Sequence, residues 1–138
     1  MTYFKDAQEV YDTIGKLFAD LAGDEELAPK FRKANTIVRY AYSDPESTIT
    51  VRLQEDQPGD VDFGDSEMEP EVTMSMDADT AHSFWLGRVN VTVALARGQI
   101  KAKGPVAKIL KLVPLTKPVF PRYKAQLEEQ GRHDLIDA

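Results

Sequence analysis

Apolar and polar positions alternate with a helical period in the first part of the chain. The apolar residues recur every three to four positions, which is typical of one buried face of a helix: Val10, Ile14, Leu17, Phe18 and Leu21. This spacing predicts a helix over residues 6–22 that stops at Gly23. A second short helix is predicted over residues 25–34, with Pro29 in its first turn, where the missing N–H is harmless.

After residue 35 the period of the pattern changes from 3.6 to 2, and β-branched and aromatic residues become frequent. Alternation of this kind predicts strands, here over residues 37–42, 48–53, 61–63, 71–76 and 99–103. The turn signal around Asp44 and Pro45 predicts that the first two strands pair as a hairpin.

Short helical segments interrupt and follow these strands. They are predicted from caps, glycine stops and apolar stripes over residues 79–86, 89–96, 106–113 and 122–130. The valines of residues 89–96 leave a strand open as the alternative for that segment, and the last seven residues are expected to be loose. Three prolines punctuate residues 114–121. The pattern predicts an α+β fold with a five-stranded, mostly antiparallel sheet, built by residues 1–138 as one domain with a Pro-rich extension and helix over residues 113–138.

The composition of the chain excludes several classes of protein. The 138 residues include no cysteine, which excludes disulfide scaffolds, thiolate zinc sites, iron–sulfur clusters and cysteine nucleophiles. The longest stretches without a charged residue are eight residues long, whereas a membrane span needs about 18 apolar residues. The first residues lack the basic and apolar regions of a secretory signal. These observations predict a cytoplasmic protein.

The two halves of the chain carry opposite charge. Residues 1–80 hold 19 acidic and 7 basic side chains, whereas residues 81–138 hold 4 acidic and 10 basic ones. The basic half could face an anion. It lacks the interleaved exposed aromatics of a nucleic-acid reader, and the net charge of −6 repels polyanions. No nucleic-acid partner is therefore predicted.

No residue pattern points to catalysis or to a metal. The two histidines, His82 and His133, lie far apart in the sequence and do not form a histidine pair at helical spacing. His82 is predicted at the surface or boundary and His133 in the tail. Nucleophile elbows and phosphate-binding glycine motifs are absent. We predict no catalytic residue, no metal ligand, no cofactor and no enzymatic activity.

Residues 71–112 resemble the C-terminal half of the sterol carrier protein-2 family. The resemblance rests on the strand Val72-Thr73-Met74-Ser75-Met76 ending in Asp77, the short helix up to Gly87, and Gly98-Gln99-Ile100-Lys101-Ala102-Lys103-Gly104 before the apolar helix with Leu110-Lys111-Leu112. Upstream elements occur in the family order, so the similarity is expected to cover residues 1–112. It implies a sheet and covering helices that enclose an apolar tunnel for fatty acids, acyl-CoA, sterols or phospholipids.

The resemblance also implies which side chains would meet a lipid. The predicted lipid-binding residues are Met74, Met76, Phe84, Trp85, Leu86, Val89, Val93, Ile100, Ile109, Leu110 and Val113. The predicted partners for an anionic headgroup are Lys101, Lys103, Lys108 and Lys111. Each apolar residue could equally be ordinary core. Residues 105 and 113–138 depart from the family pattern, so the extension could cap the tunnel or pack elsewhere.

Two functions remain open from sequence. The first is a non-catalytic domain that binds a lipid in the tunnel, with lipid transfer as a further step and transient contact with an anionic membrane surface. The alternative is an accessory domain with a filled core that binds a partner protein through its C-terminal segment. The identity of the lipid and the oligomeric state stay open.

Overall fold

The five predicted strands form one mixed sheet. The computed structural model describes residues 3–137, and its strands run in the spatial order β3-β2-β1-β4-β5. β1 and β4 are parallel, and the other neighbouring strands are antiparallel. The strands are β1 (Thr36–Ser43), β2 (Ser47–Leu53), β3 (Asp60–Phe63), β4 (Val72–Asp77) and β5 (Lys101–Lys103).

Eight helices accompany the sheet over residues 3–137. The first, α1, spans residues 7–22 and is built from Ala7–Val10, a π-helical turn at Tyr11–Gly15, and Lys16–Ala22. The others are α2 (Ala28–Arg32), α3 (Ala78–Trp85), α4 (Val91–Ala96), α5 (Val106–Leu110), α6 (Val113–Thr116), α7 (Phe120–Glu129) and α8 (His133–Ile136). A short 3₁₀ turn, Lys117–Val119, joins α6 to α7.

The register of the sheet separates an apolar inner face from a polar outer face. Tyr40 of β1 lies opposite Ile49 and Met74, so these three side chains share the inner face. On the outer face, Arg39 donates to the Thr50 hydroxyl at 3.2 Å and to the Met68 carbonyl at 3.0 Å. The helices pack against the inner face, where the main core lies.

The π-helical turn of α1 explains how residues 113–138 are attached. Such a turn interrupts the regular hydrogen-bond ladder of a helix. The Thr13 carbonyl accepts a hydrogen bond from Nε2 of Gln126 at 2.9 Å, and the Asp12 carbonyl accepts one from Nε2 of Gln130 at 2.8 Å. The two glutamines are four residues apart on α7, so one face of α7 docks on the turn.

The C-terminal residues correct two predictions. Residues 132–138 were expected to be loose, but residues 133–136 form α8, and Leu135 is 1% exposed. His82 was expected near the surface, but it is completely buried. Its Nε2 lies 2.7 Å from the Leu135 carbonyl, and its Nδ1 lies 2.8 Å from the Tyr123 hydroxyl. The C-terminal helices therefore bury the histidine and satisfy both ring nitrogens.

The three prolines of residues 114–121 begin helices instead of interrupting them. Each occupies one of the first two positions of its helix, in α6, in the 3₁₀ turn and in α7. Proline is favourable there because its fixed φ suits a helix and its missing N–H would be unpaired in any case. The segment is helical, and Val119 within it is fully buried.

Candidate functional site

An apolar cavity lies between the inner face of the sheet and the helices. Its volume is about 100 Å³. It draws on β1, β2, β4 and on helices α1 to α6. The wall is formed by Phe18, Leu21, Ala22, Ala28, Phe31, Arg32, Tyr40, Tyr42, Val51, Leu53, Gly59, Met74, Met76, Ala81, Phe84, Trp85, Val91, Ile100, Ile109, Leu112, Val113 and Thr116.

Aromatic rings and methionines dominate the chemistry of the wall. The Phe18 ring centroid lies 5.4 Å from that of Trp85 and 5.2 Å from that of Tyr40. These rings supply a large apolar area. Met74 and Met76 add flexible, polarisable side chains that adapt to the shape of their neighbours. The arrangement suits an apolar molecule of variable shape.

Few polar side chains reach the cavity. Arg32 donates from Nε to the Gln54 carbonyl at 3.0 Å and from Nη2 to the Glu55 carbonyl at 2.8 Å. The Thr116 hydroxyl donates to the Val113 carbonyl at 2.6 Å. These groups are already engaged by the backbone, so they leave the middle of the wall apolar.

Two tyrosines complete the polar set. Burial raises the pKa of Tyr40 to about 12. Burial also raises the pKa of Tyr42 well above its ordinary value, and the nearby Tyr40 and Tyr123 add to that effect. Both phenols therefore stay neutral at physiological pH. An environment that opposes phenolate formation also opposes other buried negative charge.

The structure brings seven of the eleven predicted lipid-binding residues to this cavity. They are Met74, Met76, Phe84, Trp85, Ile100, Ile109 and Val113. The other four do not line it: Leu86, Val89, Val93 and Leu110. Leu86 and Val89 are partly buried and pack against the core.

Helix geometry explains why two of these residues face solvent. On α4, Val91 and Ala94 are three residues apart and point inward, which leaves Val93 on the outer side with 42% of its surface exposed. Near α5, Ile109 and Leu112 take the inward positions, and Leu110 is 40% exposed. An apolar stripe indicates a buried face, but it does not fix which flanking residues belong to it.

The four predicted headgroup lysines do not form one cluster around the cavity. Lys101 and Lys103 pair with Ser75 and Thr73, so they lie on the outer face of the sheet, opposite the cavity. Lys108 forms an ion pair with Glu71 at 2.8 Å and donates to the Asn35 carbonyl at 3.2 Å. Lys111 is exposed next to a residue of the wall.

The ion pair at Lys108 also affects its partner. The Glu71 carboxylate accepts hydrogen bonds from Lys108 and from the Thr36 hydroxyl, and these bonds lower the pKa of Glu71 below its usual range. Glu71 therefore remains charged and neutralises Lys108. Of the four lysines, Lys111 is best placed to meet an anion near the cavity.

The residues predicted from sequence leave out the part of the wall that comes from the first half of the chain. Phe18, Leu21, Phe31, Tyr40 and Tyr42 line the cavity but were not among the predicted site residues. A signal existed, because these residues belong to the predicted apolar faces of the first helices and the first strand. The predicted lipid-binding residues all lie in or next to the segment that most resembles the family, which starts at residue 71.

The structure combines an α+β fold with an apolar cavity between the sheet and the helices. The family model described as the SCP-2 sterol transfer family matches residues 15–117. This chain therefore belongs to that family. Membership and fold together support lipid or sterol binding and transfer in general terms. The cavity lies where the resemblance predicts the tunnel, and a continuous tunnel stays a prediction.

Solved structures of this fold are similar to the chain. One is sterol carrier protein 2 from Yarrowia lipolytica in its apo form, with a TM-score of 0.64 and 19% identity over 77% of this chain and 88% of that chain. Another is the sterol carrier protein domain 2 of Helicoverpa armigera, with a TM-score of 0.65 and 18% identity over 88% of this chain and 95% of that one.

A third is palmitated SCP2L2 from Aedes aegypti, with a TM-score of 0.54 and 21% identity over 78% of this chain and 94% of that one. At these identities the likeness concerns the fold. A search of curated proteins finds no match.

No helix within residues 3–137 is long and apolar enough to cross a membrane. Over the same residues no three metal-ligating side chains form a cluster.

Proposed function

We propose that this protein is a non-catalytic lipid-binding domain that holds one long-chain lipid in the cavity between the sheet and the helices, and that it transfers the lipid between membranes. The ligand classes included are fatty acids, acyl-CoA, sterol-like molecules and phospholipids. Binding is driven by burial of the hydrocarbon part of the ligand, which contributes about 0.8 kcal/mol for each CH₂ group removed from water. A cytoplasmic location and a single domain over residues 1–138 are parts of the same proposal.

The observation that carries the proposal is the composition of the cavity wall. Large apolar and aromatic side chains from both halves of the chain surround it, and its few polar groups are mostly engaged by the backbone. The match to the SCP-2 sterol transfer family supports the same function, as does the similarity to palmitated SCP2L2 from Aedes aegypti.

The size of the cavity adds a requirement to the proposal. Pockets for drug-sized ligands have volumes of roughly 300–1,000 Å³, whereas this cavity measures about 100 Å³. A long-chain ligand therefore requires the wall to move outward. Met74, Met76 and Phe84 are the side chains we expect to shift, because methionine has several low-energy rotamers and Phe84 is only partly buried.

Filling the cavity tests the site directly. Ala81 is 1% exposed and lines the wall. Ala81→Leu should weaken binding of a long-chain fatty acid more than about tenfold, because the added carbons displace at least two CH₂ groups of the ligand. The melting temperature of the ligand-free variant should stay close to that of the parent. Fluorescence of Trp85, the single tryptophan, reports binding because its ring lies in the wall.

A matched variant and a direct measurement complete this test. Ala96→Leu makes the same change at an exposed position of α4 that does not line the cavity, and it should bind like the parent protein. Native mass spectrometry of the purified protein should detect a co-purified lipid near a one-to-one ratio. Unchanged affinity in Ala81→Leu would place any binding elsewhere, and a protein that takes up no lipid would contradict the proposal.

Contact with anionic membranes is a separate part of the proposed transfer. Lys111 is exposed and follows the exposed Leu110, while the next residues, Leu112 and Val113, line the cavity. This stretch offers a positive charge and an apolar side chain on the outer side of the wall. A basic residue near an anionic lipid surface contributes about 1 kcal/mol to binding.

Charge reversal tests this contact. Lys111→Glu should weaken association with vesicles containing phosphatidylserine about tenfold at low salt, and it should leave association with neutral vesicles unchanged. Lys124→Glu makes the same change on α7, away from the residues of the wall, and should have a smaller effect. Equal losses in the two variants in a vesicle sedimentation assay would show that only net charge matters.

A further inference from the structure

The Tyr42 side chain contains an unusual polar atom. The residue is 4% exposed and lines the cavity. Its hydroxyl is buried and has no hydrogen-bond partner among residues 3–137. An unpaired buried hydroxyl is costly, and in native proteins such a group calls for an explanation. The surrounding wall is apolar, so a trapped water would find few of the two to four polar partners that it needs.

The cavity has two chemically different ends. Tyr42 pairs with Ser47 at the start of β2 and with Met76 near the end of β4. Arg32, the one charged residue of the wall, binds the carbonyls that directly follow Leu53, and Leu53 pairs with Thr36 at the other end of β1. Six residue steps along β1 separate these ends, or about 20 Å.

Burial also differs between the two ends. Around the Arg32 end three wall residues, Ala22, Leu53 and Gly59, are partly exposed, whereas at the other end Tyr42 is buried and only its strand partner Met76 is partly exposed. A ligand would therefore enter past Arg32 and reach Tyr42 last. No cationic side chain of the wall lies at the Tyr42 end, so a neutral polar group fits there better than an anion.

We propose that Tyr42 is a specificity-determining residue that donates a hydrogen bond to a neutral oxygen of the ligand, such as a hydroxyl or a ketone, ester or thioester carbonyl. The ligand then lies with this oxygen at the buried end and its hydrocarbon body directed toward Arg32. This inference rests on the proposed lipid-binding function and adds the chemical class and the orientation of the ligand. The high pKa of the Tyr42 phenol agrees with a neutral donor.

Matched twelve-carbon ligands test the inference. Dodecan-1-ol carries a hydroxyl, dodecan-2-one carries a carbonyl, and 1-chlorododecane carries neither. The parent protein should bind the first two about tenfold more tightly than the third, which is the effect of one hydrogen bond. Tyr42→Phe should remove this preference and bind 1-chlorododecane as the parent does. The alcohol and the ketone distinguish a hydroxyl from a carbonyl as the preferred group.

Stability of the ligand-free protein provides the second readout. Tyr42→Phe removes an unpaired hydroxyl and should leave the melting temperature unchanged or higher. Tyr123→Phe removes a hydroxyl that is bonded to His82 and should lower it. Tyr11→Phe, outside the cavity, is the control for affinity and should bind all three ligands as the parent does.

The outcomes separate this inference from the function on which it rests. Equal affinity of the parent for all three ligands would overturn the role of Tyr42 and leave lipid binding intact, and so would a loss of stability in Tyr42→Phe as large as that in Tyr123→Phe. Failure of the parent to bind any of the three ligands would instead contradict the proposed function.

Discussion

Removal of residues 118–138 should abolish cooperative folding, although the family match ends at residue 117. The removed segment contains four large side chains that are at most 1% exposed: Val119, Tyr123, Leu127 and Leu135. Burial of such a side chain contributes about 1.5–3 kcal/mol. The net stability of a whole domain is only about 5–15 kcal/mol, so their joint loss is comparable to the entire stability of the fold.

The truncation would also strip partners from buried polar groups that remain. His82 would lose the Tyr123 hydroxyl and the Leu135 carbonyl, and the Thr13 carbonyl would lose Gln126. Each lost intramolecular hydrogen bond removes about 0.5–1.5 kcal/mol of net stability. Thermal unfolding monitored by circular dichroism should therefore show no sigmoidal transition for the truncated chain.

Single substitutions on α7 show how much individual side chains contribute to the stability that the truncation removes. Leu127→Ala should lower the free energy of unfolding by about 2–5 kcal/mol, while Lys124→Ala on the exposed side of α7 should change it by less than about 0.5 kcal/mol. If the truncated chain unfolds cooperatively near the parent melting temperature, the C-terminal helices are an appendage and do not belong to the core of the domain.

The sequence predicted the elements of the fold better than their arrangement. Period-two alternation located all five strands within about two residues, because successive side chains of a strand point to opposite faces of the sheet. Apart from the turn that joins β1 to β2, the sequence does not indicate which strands are neighbours, so the parallel pairing of β1 with β4 was not predicted. That pairing brings Tyr40 and Tyr42 of β1 beside Met74 and Met76 of β4.

Only part of the cavity wall could be predicted, again because the sequence does not show which distant segments come together. Residues near the strongest resemblance, such as Trp85 and Ile109, could be assigned to the wall, whereas Phe18 and Phe31 come from helices distant in sequence. His82 was missed because its burial depends on α7 and α8, and α8 has only four residues, too few for a periodic signal. The adjacent apolar residues Leu135 and Ile136 were an available hint.

Acidification should destabilise the protein through His82. Its Nε2 faces a carbonyl that can only accept, so Nε2 carries the proton and Nδ1 accepts from the Tyr123 hydroxyl. Burial lowers the pKa of His82 below its usual 6.5. The nearby Arg88 and Arg132 lower this pKa, while the Leu135 carbonyl and Asp79 act in the opposite direction.

The sign of the effect follows from linkage. Below about pH 6.5 the unfolded chain binds a proton at His82 that the folded chain does not bind. The free energy of unfolding should therefore decrease as the pH falls from 6.5 toward the lowered pKa, by at most about 1.4 kcal/mol per pH unit for this one group. Above pH 6.5, His82 contributes no pH dependence, and its full stabilisation is present.

Urea unfolding followed by Trp85 fluorescence between pH 5.0 and 7.5 measures this dependence. His82→Gln should lower stability at pH 7.5 by about 1–3 kcal/mol, because buried partners lose well-aligned bonds, and it should flatten the slope between pH 5.0 and 6.5. His133→Gln changes an exposed histidine and should keep the parent slope. If His82→Gln retains that slope, another group titrates, and the buried histidine is not the acid-sensitive contact between α3 and the C-terminal helices.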